Sequence, residues 1–297
     1  MYGKGGIDPP AGSTRSPTQP GLTFVCHVRV LGCPNSMPER VRFPARTGVA
    51  TLAARRRLTP RMIRVTLRAE EFGDGWPISQ PGEILTLLFA PPGEAIVLPL
   101  QGWVFPPGEP EQEWRNYTVR RHDPASGEID VDVVLHEPRG LACTWANELA
   151  LGAPVGYAGP RVDFKPRDDA EWLLLYGDET ALPAIAAILE SPPPAERVLA
   201  VVEVADREEE HALDLPGNAE VRWIHRDGAP AATTSHLADA LRGLALPDGP
   251  GQAWGAAESR IARDLRTVLR EERGMPRRHV KATGYWLRAG DWIIDED

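Results

Sequence analysis

The chain has 297 residues, of which 42% are hydrophobic, and it contains 30 prolines and 28 glycines. This composition is typical of a folded protein of about two domains, and its many turns exclude a coiled coil or a helical bundle. The formal net charge of −9 argues against a general binder of nucleic acid or acidic lipid. We therefore expect no nucleic-acid partner.

The three cysteines, Cys26, Cys33 and Cys143, show no CxxC spacing, which excludes a structural zinc site and a four-cysteine iron–sulfur cluster. Their odd number favours a reducing compartment. No apolar run is long enough to span a membrane, and the first thirty residues lack the pattern of a signal peptide. We expect a cytoplasmic monomer with no membrane insertion and no metal held by the protein.

The chain divides into three regions by composition and periodicity. Residues 1–40 are rich in Gly, Pro, Ser and Thr, and we predict a disordered tail; Met37 within it is a candidate for the true start of translation. Residues 41–165 show short strands with frequent turns, which predicts an antiparallel β-barrel domain. Residues 166–297 alternate strands and helices, which predicts a parallel α/β domain.

In the first domain, strands are predicted at 62–70, by alternation, and at 84–90, as a continuous apolar run. A hairpin is predicted between 114–121 and 128–136, because a turn-rich HDPASG segment separates them. In its second strand, alternation directs the aliphatic side chains inward and Asp130 and Asp132 outward.

In the second domain, apolar runs predict four buried strands and helical spacing predicts two helices. The strands are expected at 171–177, 197–205, 220–226 and 253–256, and the helices at 180–190 and 258–274. Gly274 is the expected C-terminal cap of the last helix.

The tetrapeptide Arg115-Asn116-Tyr117-Thr118 lies in a predicted strand. Alternation places Arg115, Tyr117 and Arg121 on one face of this strand and Asn116, Thr118 and Arg120 on the other. An aromatic ring beside a guanidinium can stack a flat ring system and hold a phosphate. The alternative is a hairpin with exposed arginines and a tyrosine packed on the core.

A strand ends at His136, and a helix is expected to begin at Ala142 to Thr144. The amides at a helix N-terminus suit a pyrophosphate, and Gly140 permits a close backbone approach. The alternative is an ordinary helix start with Trp145 buried.

From Val41 to Arg288 the chain resembles the siderophore-interacting proteins, which are FAD-dependent NAD(P)H:ferric-siderophore reductases of the ferredoxin-reductase-like superfamily. The resemblance implies a flavin-binding antiparallel β-barrel followed by a Rossmann-like α/β nucleotide domain. It rests on the family's Arg-x-Tyr-Thr and Gly-Pro-Ala-Ser-x-Trp-Ala motifs, although Leu141 replaces the proline and Cys143 the serine. The implied FAD-binding residues are Arg115, Asn116, Tyr117, Thr118, His136, Gly140, Ala142, Cys143, Thr144 and Trp145.

In the second domain, the resemblance implies a nicotinamide nucleotide at the loop Gly177-Asp178-Glu179-Thr180-Ala181. Asp178 and Glu179 would repel a pyrophosphate unless they point aside, and helix capping is their alternative role. By the same resemblance, Glu258 lies near the nicotinamide, and Gly284-Tyr285-Trp286 closes over the flavin region, although such aromatics more often belong to a core. The choice between NADPH and NADH stays open, since Arg207 and Asp206 favour opposite answers.

Ferric siderophores often carry negative charge, so a basic rim beside the flavin is expected. Lys281, Arg288 and Arg120 are the predicted substrate contacts, and Arg55, Arg56, Arg57 and Arg121 are further candidates. Electron transfer requires no acid–base pair, and no catalytic residue is assigned. Two alternatives remain: another flavin reductase of this superfamily with a different acceptor, and a siderophore-binding module without flavin.

Overall fold

A computed structural model describes residues 46–78, 80–91, 93–100, 103–136, 140–193 and 195–288. The predicted tail at 1–40 lies outside the described residues. Two sheets, one antiparallel and one parallel, follow one another along the chain.

The first sheet is antiparallel and has seven strands in the order β4-β3-β7-β1-β2-β6-β5. Helix α1 lies between β6 and β7 in the chain. The bounds are β1 Arg46–Thr59, β2 Met62–Arg68, β3 Ile84–Phe89, β4 Glu113–Thr118, β5 Arg121–Asp123, β6 Glu128–Val134, α1 Leu141–Glu148 and β7 Pro154–Arg161.

The two edge strands of this sheet, β4 and β5, are separated in the chain by Val119 and Arg120 alone. The amide of Val119 donates to the Glu83 carbonyl at 2.7 Å, beside β3, and the amide of Arg120 donates to the Asp130 carbonyl in β6 at 2.8 Å. The chain therefore turns from one edge of the sheet to the other, which gives the sheet a barrel-like form. No ladder joins β4 to β5 within the described ranges.

The predicted hairpin is confirmed only in its short distal part, where β5 pairs with β6. Strand β4 pairs with β3 instead, with Tyr117 opposite Leu85. The prediction was wrong for β4, because the chain leaves β6 at Arg120: the Val119 amide already donates to the Glu83 carbonyl beside β3. Only Arg121–Asp123 therefore pair along this edge of β6, and β4 completes its backbone hydrogen bonds on β3.

Alternating side chains build the core of the antiparallel sheet, and Ile129, Val131 and Val133 of β6 are buried in it. Asp130 and Asp132 lie on the opposite face, but they are only 5% and 3% exposed. The expectation that they face solvent was wrong, because arginines pair with both carboxylates and cover them.

The second sheet has five parallel strands in the order β10-β9-β8-β11-β12. Its elements are β8 Trp172–Asp178, α2 Leu182–Glu190, β9 Arg197–Val204, β10 Ala219–His225, α3 His236–Gly243, β11 Gly251–Glu258, α4 Ser259–Thr267 and β12 Val280–Trp286. The strand order reverses between β8 and β11. In open α/β sheets, the crevice at the carboxyl ends of such strands is where ligands bind.

Helix α2 packs on one face of the parallel sheet, whereas α3 and α4 pack on the other. Helix α4 continues into a π-helical turn at Val268–Glu272. Gly274 follows with a φ of +70°, which is the left-handed conformation expected of a glycine after a helix. The four strands and the two helices predicted here are confirmed, with ends that differ by a few residues.

The last antiparallel strand ends at Arg161 and the first parallel strand begins at Trp172. The domain boundary predicted between residues 165 and 166 falls in this connection and stays a prediction. The two sheets are in contact, since Met62 of β2 is buried within the core cluster of the parallel sheet. No helix in the described part of the chain is long and apolar enough to cross a membrane.

Candidate functional site

Strand β4 carries two of the predicted flavin-binding side chains, Arg115 and Tyr117. The Arg115 guanidinium donates to the Trp114 carbonyl at 2.7 Å and to Glu113 Oε2 at 3.3 Å, and its side chain is 19% exposed. Tyr117 is half-buried and packs against the core of the antiparallel sheet. A cation and an aromatic ring are therefore both supplied by this strand.

Of the other two residues of the motif, Asn116 is exposed and Thr118 is buried. Asn116 Oδ1 accepts hydrogen bonds from Thr86 Oγ1 and from Arg161 Nη2, both at 2.7 Å, and so ties β4 to β3 and β7. Thr118 is buried, opposite Ile84 of β3. In this structure Asn116 acts as a brace of the strand, and its contact with a flavin stays a prediction.

Among the described residues, which exclude 137–139, no side chain caps the N-terminus of α1; its N-cap is Gly140, and its first turn holds no acidic residue. The first amides of a helix carry the positive end of its dipole, so this end suits an anion. The His136 ring lies beside it, since a Cβ built on Gly140 would be 3.5 Å from His136 Cε1. His136 and the start of α1, which the sequence analysis assigned together to FAD binding, are thus adjacent.

The side chains of α1 point largely into the sheet. Cys143 Sγ donates to the Val134 carbonyl at 3.4 Å, and Ala142 is buried. Trp145 is 4% exposed and packs edge-on against Phe89, with ring centroids 5.5 Å apart. Its Nε1 has no hydrogen-bond partner among the described residues. Trp145 is thus buried, as the alternative expected, and Thr144 is half-buried; the contact of either residue with a flavin stays a prediction.

The β4 motif and the α1 start share one hydrophobic core, because Tyr117, Leu141 and Trp145 all pack within the same cluster. The chemistry available there is an aromatic face, a guanidinium and a set of uncapped helix amides. These groups fit a flavin nucleotide, in which a flat ring is joined to a diphosphate. Arg115 and the first-turn amides would hold the phosphates, and Tyr117 would pack on the ring.

Two arginines hold the other end of α1, a role that the sequence reasoning missed. Arg55 donates to the Ala146 carbonyl at 3.3 Å and to the Leu149 carbonyl, and Arg57 donates to Asn147 Oδ1 at 2.7 Å. Cations commonly satisfy the last carbonyls of a helix. Arg55 is therefore an anchor of α1, and the exposed Arg57 contacts the same helix; their place in a basic rim stays a prediction.

At the carboxyl ends of the parallel strands, Asp178 joins β8, β11 and β12. Its Oδ1 accepts from the Thr180 amide at 2.9 Å, while its Oδ2 accepts from the Glu258 amide at 3.1 Å and from Trp286 Nε1 at 2.9 Å. Burial, and then the neighbouring Glu179, raise the pKa of Asp178 to about 6. This carboxylate is thus fully occupied at the point where the strand order reverses.

Glu258 is 1% exposed and caps α4. Its Oε2 accepts from the amides of Arg260 and Ile261 at 2.7 and 3.2 Å, and its Oε1 accepts from the amide of Arg288 at 3.4 Å. The structure therefore gives Glu258 a structural role, and its place near a nicotinamide stays a prediction.

Glu179 forms a bidentate ion pair with Arg226, at 2.7 and 2.6 Å. The Arg226 side chain is only 2% exposed and also lies 3.5 Å from Glu203. The two carboxylates expected to repel a pyrophosphate are therefore both engaged elsewhere, Asp178 by hydrogen bonds and Glu179 by this cation. Arg226 was missed, although its position directly after β10, at the carboxyl edge of the sheet, was a usable signal.

Close packing requires glycine at position 177, in the predicted nucleotide loop, and at position 284, in the segment predicted to close over the flavin. A Cβ on Gly177 would lie 2.1 Å from the Ala256 carbonyl oxygen and 2.5 Å from Ala181 Cβ, so the turn from β8 into α2 admits no side chain there. A Cβ on Gly284 would lie 2.5 Å from Ser259 Oγ.

The aromatic residues that follow Gly284 belong to β12, the edge strand. Trp286 is 6% exposed and bonds to Asp178, while Tyr285 packs against the core of the parallel sheet, where burial raises its pKa well above the usual range. Closure of this segment over a flavin stays a prediction.

The predicted substrate contacts differ in availability. Lys281 is 44% exposed and its Nζ donates to Asp163, at 2.8 Å from Oδ1. Arg288 Nη1 donates to the Ala232 carbonyl at 3.5 Å. The Arg120 side chain is only 9% exposed, because it is held between acidic groups of the two sheets. Arg120 is therefore corrected from an open rim cation to a buried ion-pair partner.

Comparison with known proteins shows similarity over both sheets. The family model described as "Siderophore-interacting FAD-binding domain" matches residues 51–164, and the model "Siderophore-interacting protein" matches residues 170–289. Ferric vibriobactin reductase ViuB of Vibrio cholerae is 31% identical over 233 residues, which cover 76% of this chain and 84% of that protein.

Solved structures give the same result. A siderophore utilization protein from T. fusca superposes with a TM-score of 0.74 at 33% identity, covering 86% of this chain and 97% of that one. A ferredoxin reductase of carbazole 1,9a-dioxygenase superposes with a TM-score of 0.59 at 17% identity, covering 81% and 69% of the two chains. At that identity the similarity shows the fold alone, and it confirms the predicted ferredoxin-reductase-like class.

Proposed function

Because the chain belongs to the siderophore-interacting protein family, we propose that it reduces ferric siderophores with electrons that NAD(P)H delivers through FAD. The family's FAD-binding domain spans the antiparallel sheet, and the fold is that of ferredoxin reductases. The protein is accordingly a flavin-dependent oxidoreductase. The nucleotide donor, a cytoplasmic location and a monomeric state are parts of the proposal.

The observation that carries the proposal is the shared core beneath Tyr117 and the uncapped start of α1. Bound FAD would supply a carrier that takes two electrons from a nicotinamide and releases them one at a time, as ferric iron requires. Arg115 and the amides of α1 would bind its phosphates, and Arg55 would keep α1 in place through the carbonyls at its far end.

The reversal of strand order between β8 and β11 supports a nicotinamide nucleotide site on the parallel sheet. The Gly177 turn brings α2 close to β8, and Arg226 neutralises Glu179 beside it. Asp206 is used locally, since its side chain accepts from the Glu208 amide at 2.9 Å. Either NADPH or NADH is compatible with this arrangement.

The ferric siderophore is the substrate in this proposal, and its iron arrives in the chelator. Within the described ranges, no group of three or more His, Cys, Asp or Glu side chains is arranged to hold a metal ion. Lys281, in β12, is the proposed contact for an anionic chelate, and Arg288, just after the end of β12, is the second. Oxygen chelators hold Fe(II) less tightly than Fe(III), so reduction releases the metal.

The test is anaerobic stopped-flow spectroscopy of the FAD-loaded protein, first with NADPH or NADH and then with ferric chelates of differing charge. We expect the flavin absorbance to bleach with nucleotide and to return with ferric chelate, faster for anionic chelates. Protein that takes up no FAD would indicate a flavin-free binding module. Flavin that bleaches but is reoxidised by no ferric chelate would indicate a reductase with a different acceptor.

A further inference from the structure

An ion pair between Arg120, whose side chain is largely buried, and the partly exposed Glu190 joins the antiparallel sheet to α2. We infer that this pair is a positioning device, which sets the nucleotide-binding loop at the start of α2 against the flavin-binding strand β4. The inference rests on the proposed function, because it concerns electron transfer from a nicotinamide nucleotide to a flavin.

The positions of the two residues in the chain connect the two cofactor segments. Arg120 is the second residue after Thr118, the end of the β4 motif, and its amide is fixed to the Asp130 carbonyl at 2.8 Å. Glu190 is the last residue of α2, which begins at Leu182, directly after the loop 177–181. A short rigid strand and a rigid helix are therefore linked through these two side chains.

The geometry of the pair is bidentate and largely shielded from water. Arg120 Nη1 lies 2.6 Å from Glu190 Oε2, and Nη2 bonds to Oε1 of the same carboxylate. The Arg120 side chain is 9% exposed and that of Glu190 is 27% exposed. Bidentate guanidinium–carboxylate pairs fix an orientation as well as a distance, and salt screens shielded pairs less than exposed ones.

A second acidic side chain also lies close to the Arg120 guanidinium. Asp132, whose side chain is 1% exposed, lies 3.8 Å from Arg120 Nε and accepts two hydrogen bonds from Arg64, at 2.6 and 2.8 Å. Arg120 therefore has little freedom to move independently of β2 and β6. The pair transmits the position of the antiparallel sheet to α2.

Other contacts join the sheets independently of this ion pair. Thr59 Oγ1 donates to Glu209 Oε2 at 2.5 Å, and the Arg61 amide donates to the same oxygen at 3.3 Å. Met62 packs into the parallel-sheet core. These contacts hold the sheets together when Arg120 is changed, so the pair can be tested without separating them.

Transfer of a hydride from a nicotinamide to a flavin depends steeply on the distance and alignment of the two rings. A misplacement of about 1 Å can cost about 100-fold in rate. An interface that fixes two cofactor-facing segments should therefore control the limiting rate of flavin reduction more strongly than the affinity for either cofactor.

The test compares the variant Arg120→Met with the wild-type protein loaded with FAD. Asp132 keeps both hydrogen bonds to Arg64 in this variant, and the partly exposed Glu190 can be solvated, so the fold should persist. Glu190→Gln is the second variant, since it retains the shape and one acceptor. Arg197→Met is the matched control, because it breaks an exposed ion pair with Glu220 on the same parallel sheet.

Stopped-flow titration with nucleotide separates the limiting rate of flavin reduction from the nucleotide Kd. We expect Arg120→Met to lower the limiting rate by about 10- to 100-fold and to change Kd by less than about threefold, with a smaller loss for Glu190→Gln. Photochemical reduction of the flavin, which needs no nucleotide, should be unchanged. A limiting rate within threefold of wild type, or an equal loss in Arg197→Met, would overturn the inference.

Scanning calorimetry of the flavin-free protein provides a readout that is independent of activity. The positioning role predicts that Arg120→Met broadens or splits the unfolding transition, whereas Arg197→Met leaves its shape unchanged. An unaltered transition in Arg120→Met would count against the inference. If neither nucleotide reduces the wild-type flavin, the proposed function fails, and the calorimetry still decides whether the pair couples the two sheets.

Discussion

Replacement of Arg226 by methionine should destabilise the protein strongly, and the loss should depend on pH. The guanidinium forms a bidentate pair with Glu179 and lies 3.5 Å from Glu203, with only 2% of its side chain exposed. Methionine fills much of the same volume but leaves Glu203, which is 5% exposed, without this cation and still accepting a hydrogen bond from the Thr234 hydroxyl at 3.0 Å.

The magnitude follows from the burial of the remaining carboxylate. Removing one member of a buried ion pair costs about 3 to 5 kcal/mol, because a charge is left without its counter-ion. Burial already raises the pKa of Glu203, while Thr234 and Arg226 oppose that rise. Loss of Arg226 should raise the pKa of Glu203 further, at about 1.4 kcal/mol of folding free energy per pKa unit.

The sign of the pH effect can be derived from this shift. A carboxyl whose pKa is higher in the folded than in the unfolded state binds more protons when folded, so its contribution to stability falls as pH rises through that range. The larger shift in Arg226→Met makes this fall steeper. The difference in unfolding free energy between wild type and Arg226→Met should therefore be largest near pH 8 and smaller near pH 5.

Urea denaturation at pH 5 and pH 8, followed by circular dichroism, measures both effects. The control Arg197→Met breaks a pair whose side chains are 53% and 67% exposed, and should cost less than about 1 kcal/mol at either pH. Adding Glu203→Gln to Arg226→Met should restore part of the loss at pH 8. A deficit below about 1 kcal/mol at pH 8, or one that does not change with pH, would refute the reasoning.

Three further predictions concern the two proposed cofactor segments. Gly140→Ala should change the unfolding free energy by less than about 1 kcal/mol, because φ at Gly140 is −81° and the atom nearest to the new Cβ, in His136, is 3.5 Å away. If the FAD phosphates approach this turn, the new methyl group should weaken FAD binding in a fluorescence titration. An unchanged Kd for FAD would contradict that approach. Arg55→Met should lower the unfolding free energy by about 1 to 3 kcal/mol in urea denaturation, because the hydrogen bonds of Arg55 to the end of α1 are lost. Arg56→Met, at the exposed neighbouring position, should lower it little, and equal losses would contradict the anchoring role of Arg55. Since the pKa of Asp178 is about 6 against an ordinary 3.8, the stability advantage of wild type over Asp178→Asn should fall by about 2 kcal/mol between pH 4 and pH 7, and a pH-independent difference would contradict it.

The sequence was sufficient for many of the elements and for the fold class because periodicity is a local signal. The continuous apolar run at 84–90 became β3, and the strand–helix alternation after residue 168 became the parallel sheet. Helix α3 was not predicted, and strands β1, β7 and β12 were not identified as strands. Strands β7 and β12 each contain glycine, and β7 also contains proline, so their composition favours turns until neighbouring strands pair with them.

Contacts between distant segments could not be predicted in the same way. Asp130 and Asp132 alternate as exposed residues would, and only the pairing of β2 with β6 brings arginines over them. Arg120 stands among other basic residues in the sequence, but Glu190 lies 70 positions away. Ion pairs of this kind depend on how the two sheets pack, which no local pattern specifies.

The most direct test of the flavin site is a crystal structure of the protein with bound FAD. We predict the diphosphate against the first amides of α1 and Arg115, and the isoalloxazine ring against Tyr117. Electron density for FAD at any other place, with these groups uncontacted, would contradict the assignment.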